Sequence, residues 1–274
     1  MTIFHRHLAI VLVSFALSTG AAAQTGSGQE ALYKAETVVT GKELPERLRG
    51  FAIGAEDVLV KLTGRARLAK SAKAKAVIAK APELIAAYEY EDRMKDIPIH
   101  DEQGTRDRPH YLRMTFDAAK FDKALEEARL EKWTGKRPTV AVWLAIDEPR
   151  GKYILSRDGE EGYVQRLVLN DASKKRAIPV VLPPEAQEDV KIENIVKRNW
   201  SVLLNASQGL GADAVLYGTM DFDGVAYWNC QWVVAGDGAY AKWKMKGVSF
   251  DKAFKEAIDR VAAAHARRAS KNGH

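Results

Sequence analysis

Nucleophilic and metal chemistry would depend chiefly on one cysteine and six histidines in this chain of 274 residues. Cys230 falls in a predicted strand, 225–234, where alternation places it on the same face as Trp228 and Trp232. A thiol between tryptophans on an apolar strand face is typical of a buried structural cysteine. A single cysteine also excludes an intrachain disulfide and a cysteine-cluster metal site.

The histidines and glycines do not form a recognisable site. His100 and His110 border a charged loop, 95–110, and zinc spacings of the H-x-x-x-H or H-E-x-x-H type do not occur. Gly209-Leu210-Gly211 closes a predicted helix, whereas a phosphate loop opens one. Residues 221–224 (DFDG) lack the downstream ligands of a calcium loop and predict a tight turn. We therefore predict no catalytic residue, no metal and no cofactor.

Alternating polar residues on the last two predicted strands, 225–234 and 239–247, form a candidate binding face. Because successive side chains of a strand point to opposite sides, the apolar set of each strand packs under helices and the polar set stays open. We call the polar set the lysine face, and its members are Tyr227, Asn229, Gln231, Lys242, Lys244 and Lys246.

Two interpretations of the lysine face stay open. It is either a solvated face that keeps the protein soluble, or a docking surface for an acidic partner such as a protein, an anionic lipid or a cell-wall polymer. A second basic region surrounds a short predicted helix, 71–80, where the solvated interpretation is favoured; its lysines are Lys70, Lys73, Lys75 and Lys80.

Two other classes of function remain as alternatives. An enzyme or small-ligand binder would use a cleft between two domains, and chain connections make Asp147, Glu148 and His110 its candidate residues. A purely structural role, with self-association through the first domain, is the third possibility.

Hydrophobic periodicity divides the chain into two α+β domains, consistent with a composition that is 46% hydrophobic and 28% charged. The first domain, 31–135, is predicted to run β-α-α-β-β-α. Its elements are strand 31–40, helices 44–62 and 71–80, strands 83–91 and 110–116, and helix 117–130. The 95–110 loop between its last two strands is either a functional flap or mobile, and its charge favours a mobile loop.

The second domain, 138–267, is predicted to run β-α-β-α-β-β-β-α, with a mixed sheet and helices mainly on one side. Its predicted elements are strands 139–146 and 178–183, helices 160–176 and 191–208, strands 213–221, 225–234 and 239–247, and a closing helix, 249–267. Gly236-Asp237-Gly238 predicts the turn of the last hairpin. Residues 268–274 are expected to form a flexible tail.

The first 23 residues have the organisation of a secretory signal peptide. Arg6 precedes an apolar run, 8–17, which ends before the small-residue triplet Ala21-Ala22-Ala23. A membrane anchor is the alternative, but about 20 apolar residues are needed to span a bilayer. We expect cleavage after Ala23, a flexible lead-in at 24–30 and a periplasmic protein that is not a lipoprotein. Export makes a nucleic-acid partner improbable despite the net charge of +6.

Five segments together resemble a bacterial exported family catalogued as domain of unknown function 2066. They are DVLVKLTG (57–64), AAYEYED (86–92), LRMTFDAAKFDKAL (112–125), RPTVAVWLAID (137–147) and ADAVLYGTM (212–220). The resemblance covers nearly the whole chain after residue 23, and the family supplies no activity or catalytic residues to transfer.

The second domain is also similar, in element order and in its A-D-A-V-L-x-G strand, to the amino-terminal domain of TolB and to the curli-export lipoprotein. It similarly resembles the lipoprotein activators of peptidoglycan synthases. These proteins bind other envelope components, so the resemblance implies a non-catalytic binding or assembly factor of the bacterial envelope.

Overall fold

The computed structural model of the chain describes residues 29–96, 107–236 and 238–272. The predicted signal peptide with its cleavage site at Ala23, most of the 24–30 lead-in, and most of the 95–110 loop with His100 lie outside these residues. The middle of the predicted Gly236-Asp237-Gly238 turn lies outside them too. The described chain is α+β, as predicted, and contains two sheets.

The first sheet has three antiparallel strands in the order β1-β3-β2. Its strands are β1 (Lys34–Thr40), β2 (Ile85–Asp92) and β3 (Pro109–Phe116). The helices of this unit are α1 (Leu44–Thr63), α2 (Ala72–Ala79), α3 (Ala81–Leu84) and α4 (Ala118–Glu127). Short 3-10 helices lie at Ala31–Tyr33 and Ala66–Lys70.

Helix α1 packs lengthwise on the first sheet because two of its residues are glycines. A Cβ at Gly50 would lie 2.5 Å from Leu112, and one at Gly54 would lie 2.7 Å from Met114. Both strand residues are buried, so the helix and β3 approach closely and their side chains form a dry core. Gly64 ends the helix at φ +66°, the left-handed conformation that favours glycine.

The second sheet has six strands, of which β4 pairs with three others. The strands are β4 (Val140–Glu148), β5 (Gly151–Ile154), β6 (Val180–Val181), β7 (Ala214–Phe222), β8 (Trp228–Gly236) and β9 (Ala239–Val248). The main path is β5-β4-β7-β8-β9; β4 is parallel to β6 and β7, and the remaining pairs are antiparallel. Strand β9 therefore lies at one edge.

Helices cover the two faces of this sheet unequally. The helices are α5 (Tyr163–Arg176), α6 (Ile192–Val196), α7 (Trp200–Gly209) and α8 (Phe250–Asn272). The larger core lies on the face that carries α5 and α8. On the other face, α6 and α7 pack with apolar residues of β4 and β7, and Val233 is the β8 residue that joins this smaller core.

The second sheet departs from the predicted element order at several points. Strand β5 was not predicted, and the predicted 178–183 strand contracts to two residues because Pro179, Pro183 and Pro184 flank it. The predicted helix 191–208 is two helices, since Arg198 has φ +58° and ends the first one. The closing helix continues through the predicted tail as far as Asn272.

The two sheets are joined through the carboxyl-terminal half of α1. The Arg137 guanidinium donates to the carbonyl of Lys61 at 2.6 Å, and the Trp133 amide donates to the carbonyl of Leu62 at 2.7 Å. Arg176 of α5 contacts Asp57 of α1 at 2.9 Å. These contacts place the start of β4 beside the end of α1.

Candidate functional site

The pairing of β8 and β9 separates the apolar and polar residues of these strands as predicted. Trp228, Cys230, Trp232 and Val234 are buried in the larger core, and Trp243 of β9 stacks on Trp232 with ring centroids 6.4 Å apart. Burial raises the pKa of Cys230 to about 12. A thiol with this pKa is protonated near neutral pH and is a poor nucleophile, as expected for a structural cysteine.

The opposite side of β8 and β9 is open, and five of the six predicted residues lie on these strands. Lys242, Lys244 and Lys246 are exposed, and Lys244 pairs across the sheet with Gln231, which is partly buried. The Asn229 side-chain oxygen accepts a 3.3 Å hydrogen bond from the Gly247 amide where the β8–β9 register shifts. Asn229 therefore helps to fix the end of the hairpin.

Tyr227 is not a strand residue, which corrects the predicted start of the strand at 225. It precedes β8 in a tight turn, where the carboxylate of Asp223 accepts from the amides of Val225, Ala226 and Tyr227. The Tyr227 side chain is 51% exposed. The turn fits the prediction for residues 221–224, and Tyr227 lies at the end of the lysine face.

A fourth cation, which the sequence did not predict, joins the lysine face. Arg198, at the break between α6 and α7, donates to the Gln231 side-chain oxygen at 3.3 Å. Beside it, Trp200 is 37% exposed and its ring lies 6.4 Å from that of Tyr217. The start of α7 thus brings a partly exposed aromatic ring to β7, the strand next to β8.

Charge is distributed unevenly across this side of the sheet. Within the described parts of the chain, no carboxylate lies within 4 Å of the ammonium groups of Lys242, Lys244 and Lys246. The acidic groups lie toward β4, where Asp147 is the register partner of Asp221 and pairs with Lys152 at 2.7 Å. Burial, followed by the nearby Asp147 charge, raises the pKa of Asp221. The β9 edge is therefore basic and the β4 side acidic.

The three residues predicted for an inter-domain cleft do not meet, so this expectation is wrong. Asp147 and Glu148 end β4, about 23 Å along the strand from its start beside α1. His110 lies in the first sheet, where its Nδ1 is 2.8 Å from the carbonyl of Arg108. These residues were predicted because the chain connections suggested that they lie near the domain boundary. In the structure, β4 runs away from that boundary, so Asp147 and Glu148 lie at its far end.

A different groove, of about 1050 Å³, lies beside the first sheet where it adjoins α5. Its lining includes Lys61, whose ammonium donates to the carbonyls of Lys34 at 2.5 Å and Ala31 at 3.4 Å. Burial lowers the pKa of Lys61 to about 8. The groove also exposes charges of both signs, and two of them, Lys175 and Asp171, form an ion pair at 2.9 Å.

Neither a metal cluster nor a spanning helix occurs in the described part of the chain. No group of three or more His, Cys, Asp or Glu residues there could hold a metal ion. Among the described helices, none has the length and apolar character needed to cross a membrane.

A domain of unknown function, DUF8605, is found over residues 27–134. The sequence resemblance implied a domain of unknown function, and one is found, but the family that matches is DUF8605 and not domain of unknown function 2066. The match covers the first sheet and helices α1 to α4, whereas the resemblance extended over both domains. No curated protein is similar enough to the chain to count as a match. The lysine face lies beyond the DUF8605 domain, on the second sheet.

Proposed function

We propose that the chain is a non-catalytic binding or assembly factor of the bacterial cell envelope, exported to the periplasm, and that its lysine face docks an acidic partner. The observation that carries the proposal is the set of three exposed lysines, without ion-pair carboxylates in the described chain, on the uncovered half of the second sheet. Such a patch attracts acidic surfaces over a distance of about 10 Å at moderate salt.

Export and the envelope are supported by the sequence. The order of charge, apolar run and small residues in 1–23 is that of a signal peptide, and the resemblance to domain of unknown function 2066 adds an exported bacterial family. The TolB-like element order of the second domain supports a role in binding other envelope components.

The arrangement of the face also supports docking. Lys242, Lys244 and Lys246 are spaced by two residues on the edge strand β9, so their ammonium groups follow one line about 13 Å long. Arg198 contacts Gln231, the register partner of Lys244, and so lies beside this line, while the partly exposed ring of Trp200 lies near Tyr217 of β7. Cations with an adjacent aromatic ring are typical of interface centres, where Arg and Trp are enriched.

The test is affinity capture of the tagged chain from lightly crosslinked periplasm, beside a variant with Lys242→Glu, Lys244→Glu and Lys246→Glu. A matched control carries the same charge change in the second basic region: Lys70→Glu, Lys73→Glu and Lys75→Glu. We expect one envelope component to be recovered with the native chain and the control and lost from the lysine-face variant.

The recovered component, once purified, should bind the native chain with an affinity that falls as salt rises. All three chains should melt within a few degrees of one another, since the substituted side chains are exposed. If the lysine-face variant still captures the component, or if the control loses it equally, the lysine face is not the docking surface.

A further inference from the structure

A cavity of about 620 Å³ lies where the DUF8605 domain adjoins the second sheet. One wall is the segment Arg65–Leu68 that follows α1, another is a partly buried side of α8, and Ala241 of β9 also lines it. We call it the arginine pocket because four arginines line it: Arg65, Arg67, Arg260 and Arg267. Its volume is within the 300–1,000 Å³ range typical of small-molecule sites.

The two carboxylates of the arginine pocket are already paired. Glu256 accepts from Arg260 at 2.6 Å, one helical turn away. Asp259 accepts from Arg176 at 2.5 Å and from Lys255 at 2.9 Å. Neither carboxylate is therefore available to neutralise the other cations of the pocket.

Arg67 and Arg267 supply the unbalanced positive charge. Both are exposed, they come from different walls, and neither has a carboxylate within 4 Å among the described residues. Arg65 adds a guanidinium that is shared with the exposed Glu131 at 3.2 Å. Guanidinium groups form two parallel hydrogen bonds with a carboxylate or a phosphate, so two of them lining one cavity favour an anionic ligand.

The remaining lining of the pocket is apolar and small. It consists of Ala66, Leu68, Ala241 and Ala263. Arg260, which also lines the pocket, lies over the indole of Trp243 with its guanidinium 5.2 Å from the ring centre. A ligand that fills this space needs an apolar body in addition to its charge, because alanine and leucine side chains offer no hydrogen bonds.

We propose that the arginine pocket binds a small organic anion, one that carries a carboxylate or phosphate head on an apolar body. The head lies between Arg67 and Arg267, and the body lies against the alanines of α8 and β9. This site goes beyond the docking proposed for the lysine face and does not depend on it, since the lysines project from the other side of β9.

Isothermal titration of the full chain with short amphiphiles tests the proposal. Octanoate and octyl phosphate are the probes, while octanol lacks the charge, acetate lacks the apolar body and octylammonium reverses the charge. We expect the two anionic amphiphiles to bind with one site per chain, and each of the other three to bind at least about tenfold more weakly.

Two variants place the binding in the pocket. The double change Arg67→Gln and Arg267→Gln removes the head contacts and should weaken octanoate binding about tenfold or more. Ala263→Leu fills the pocket from the partly buried side of α8 and should also weaken it, while leucine keeps the helix propensity. Their melting temperatures should stay close to that of the native chain.

The matched control is Lys242→Gln with Lys244→Gln, which removes two cations on the other side of β9 and should leave octanoate binding unchanged. The proposal is wrong if octanol or octylammonium binds as well as octanoate. It is equally wrong if octanoate binding persists in both pocket variants or falls only in the lysine-face control. None of these results depends on whether the lysine face docks a partner.

Discussion

Asp57 of α1 and Arg176 of α5 form a 2.9 Å ion pair that links the two sheets, and the Arg176 side chain is 5% exposed. The same guanidinium donates to Asp259 of α8 at 2.5 Å. Two carboxylates from different elements thus converge on one buried cation. The Coulomb attraction raises the pKa of Arg176 against the effect of burial, the largest influence, which would lower it.

Replacing Arg176 with methionine should destabilise the protein by about 3 kcal/mol or more. The change leaves Asp57 and Asp259 with little access to water and without their shared cation, and breaking a buried pair from one side is costly. Urea unfolding at neutral pH measures the effect. As a control, Lys175→Met breaks the exposed pair with Asp171 one residue away and should cost less than about 1 kcal/mol.

A further variant separates lost pairing from lost packing. Adding Asp57→Asn and Asp259→Asn to Arg176→Met removes the two carboxylate charges that have lost Arg176, of which Asp259 keeps only its pair with Lys255, so part of the lost stability should return. A triple variant as unstable as Arg176→Met or less stable would mean that the guanidinium acts through packing alone.

The buried ammonium of Lys61 makes the free energy of unfolding depend on pH. Burial is the main cause of its lowered pKa, about 8 against an ordinary 10.5, and the charges of Arg176 and Arg137 act in the same direction while Asp57 opposes them. Between these two values the unfolded chain binds more protons than the folded chain, so the free energy of unfolding increases with pH. The free-energy cost of burying the Lys61 ammonium therefore lowers the stability in full below about pH 8 and no longer lowers it above about pH 10.5.

The comparison of the native chain with Lys61→Met isolates this effect. From about pH 7 to about pH 10, the unfolding free energy of the native chain should rise by about 2 kcal/mol relative to that of the variant. Tyrosines and Cys230 titrate in both proteins and cancel in the difference. A difference that stays flat over this range would show that Lys61 is solvated in the folded state.

The sequence predicted the first sheet and its helices closely because their patterns are regular. The three- and four-residue apolar spacing of α1, with Pro45 near its start and Gly64 after its end, predicted 44–62, and the helix is Leu44–Thr63. Alternation also predicted which side of β8 and β9 is buried, since a period of two leaves little choice once the tryptophans are inside.

Features that depend on tertiary contacts were not predicted. Strand β5 has four residues, GKYI, too few for a recognisable alternation. The break at Arg198 has no glycine or proline to mark it, so the cation that it brings to Gln231 was missed. The arginine pocket joins residues about 190 positions apart, from the end of α1 and from α8, and no local pattern relates them.

Gly64→Ala should cost more stability than the same change at another left-handed glycine. At Gly64, φ is +66° and a Cβ would lie 2.6 Å from Ala266 of α8 and 2.8 Å from the Trp133 ring, so both backbone strain and a clash with these two side chains are expected. At Gly211, φ is +71° but no atom lies within 4 Å of a Cβ. We expect about 1 kcal/mol at Gly211 and about 2 kcal/mol more at Gly64. Equal losses in urea unfolding would mean that α1 and α8 separate easily.

Cys230 should react with a thiol reagent only when the protein unfolds. Its side chain is 1% exposed between Trp228 and Trp232, and burial raises its pKa to about 12, so both access and thiolate are lacking in the native state. At about pH 8, the labelling rate with 5,5′-dithiobis(2-nitrobenzoic acid) should be slow in buffer and should increase with urea in step with unfolding. Arg176→Met, which is expected to be less stable, should label faster under the same conditions, whereas Lys175→Met should not. Rapid labelling of the native chain, at the rate of a free thiol, would contradict both the burial of β8 and the structural role assigned to this cysteine.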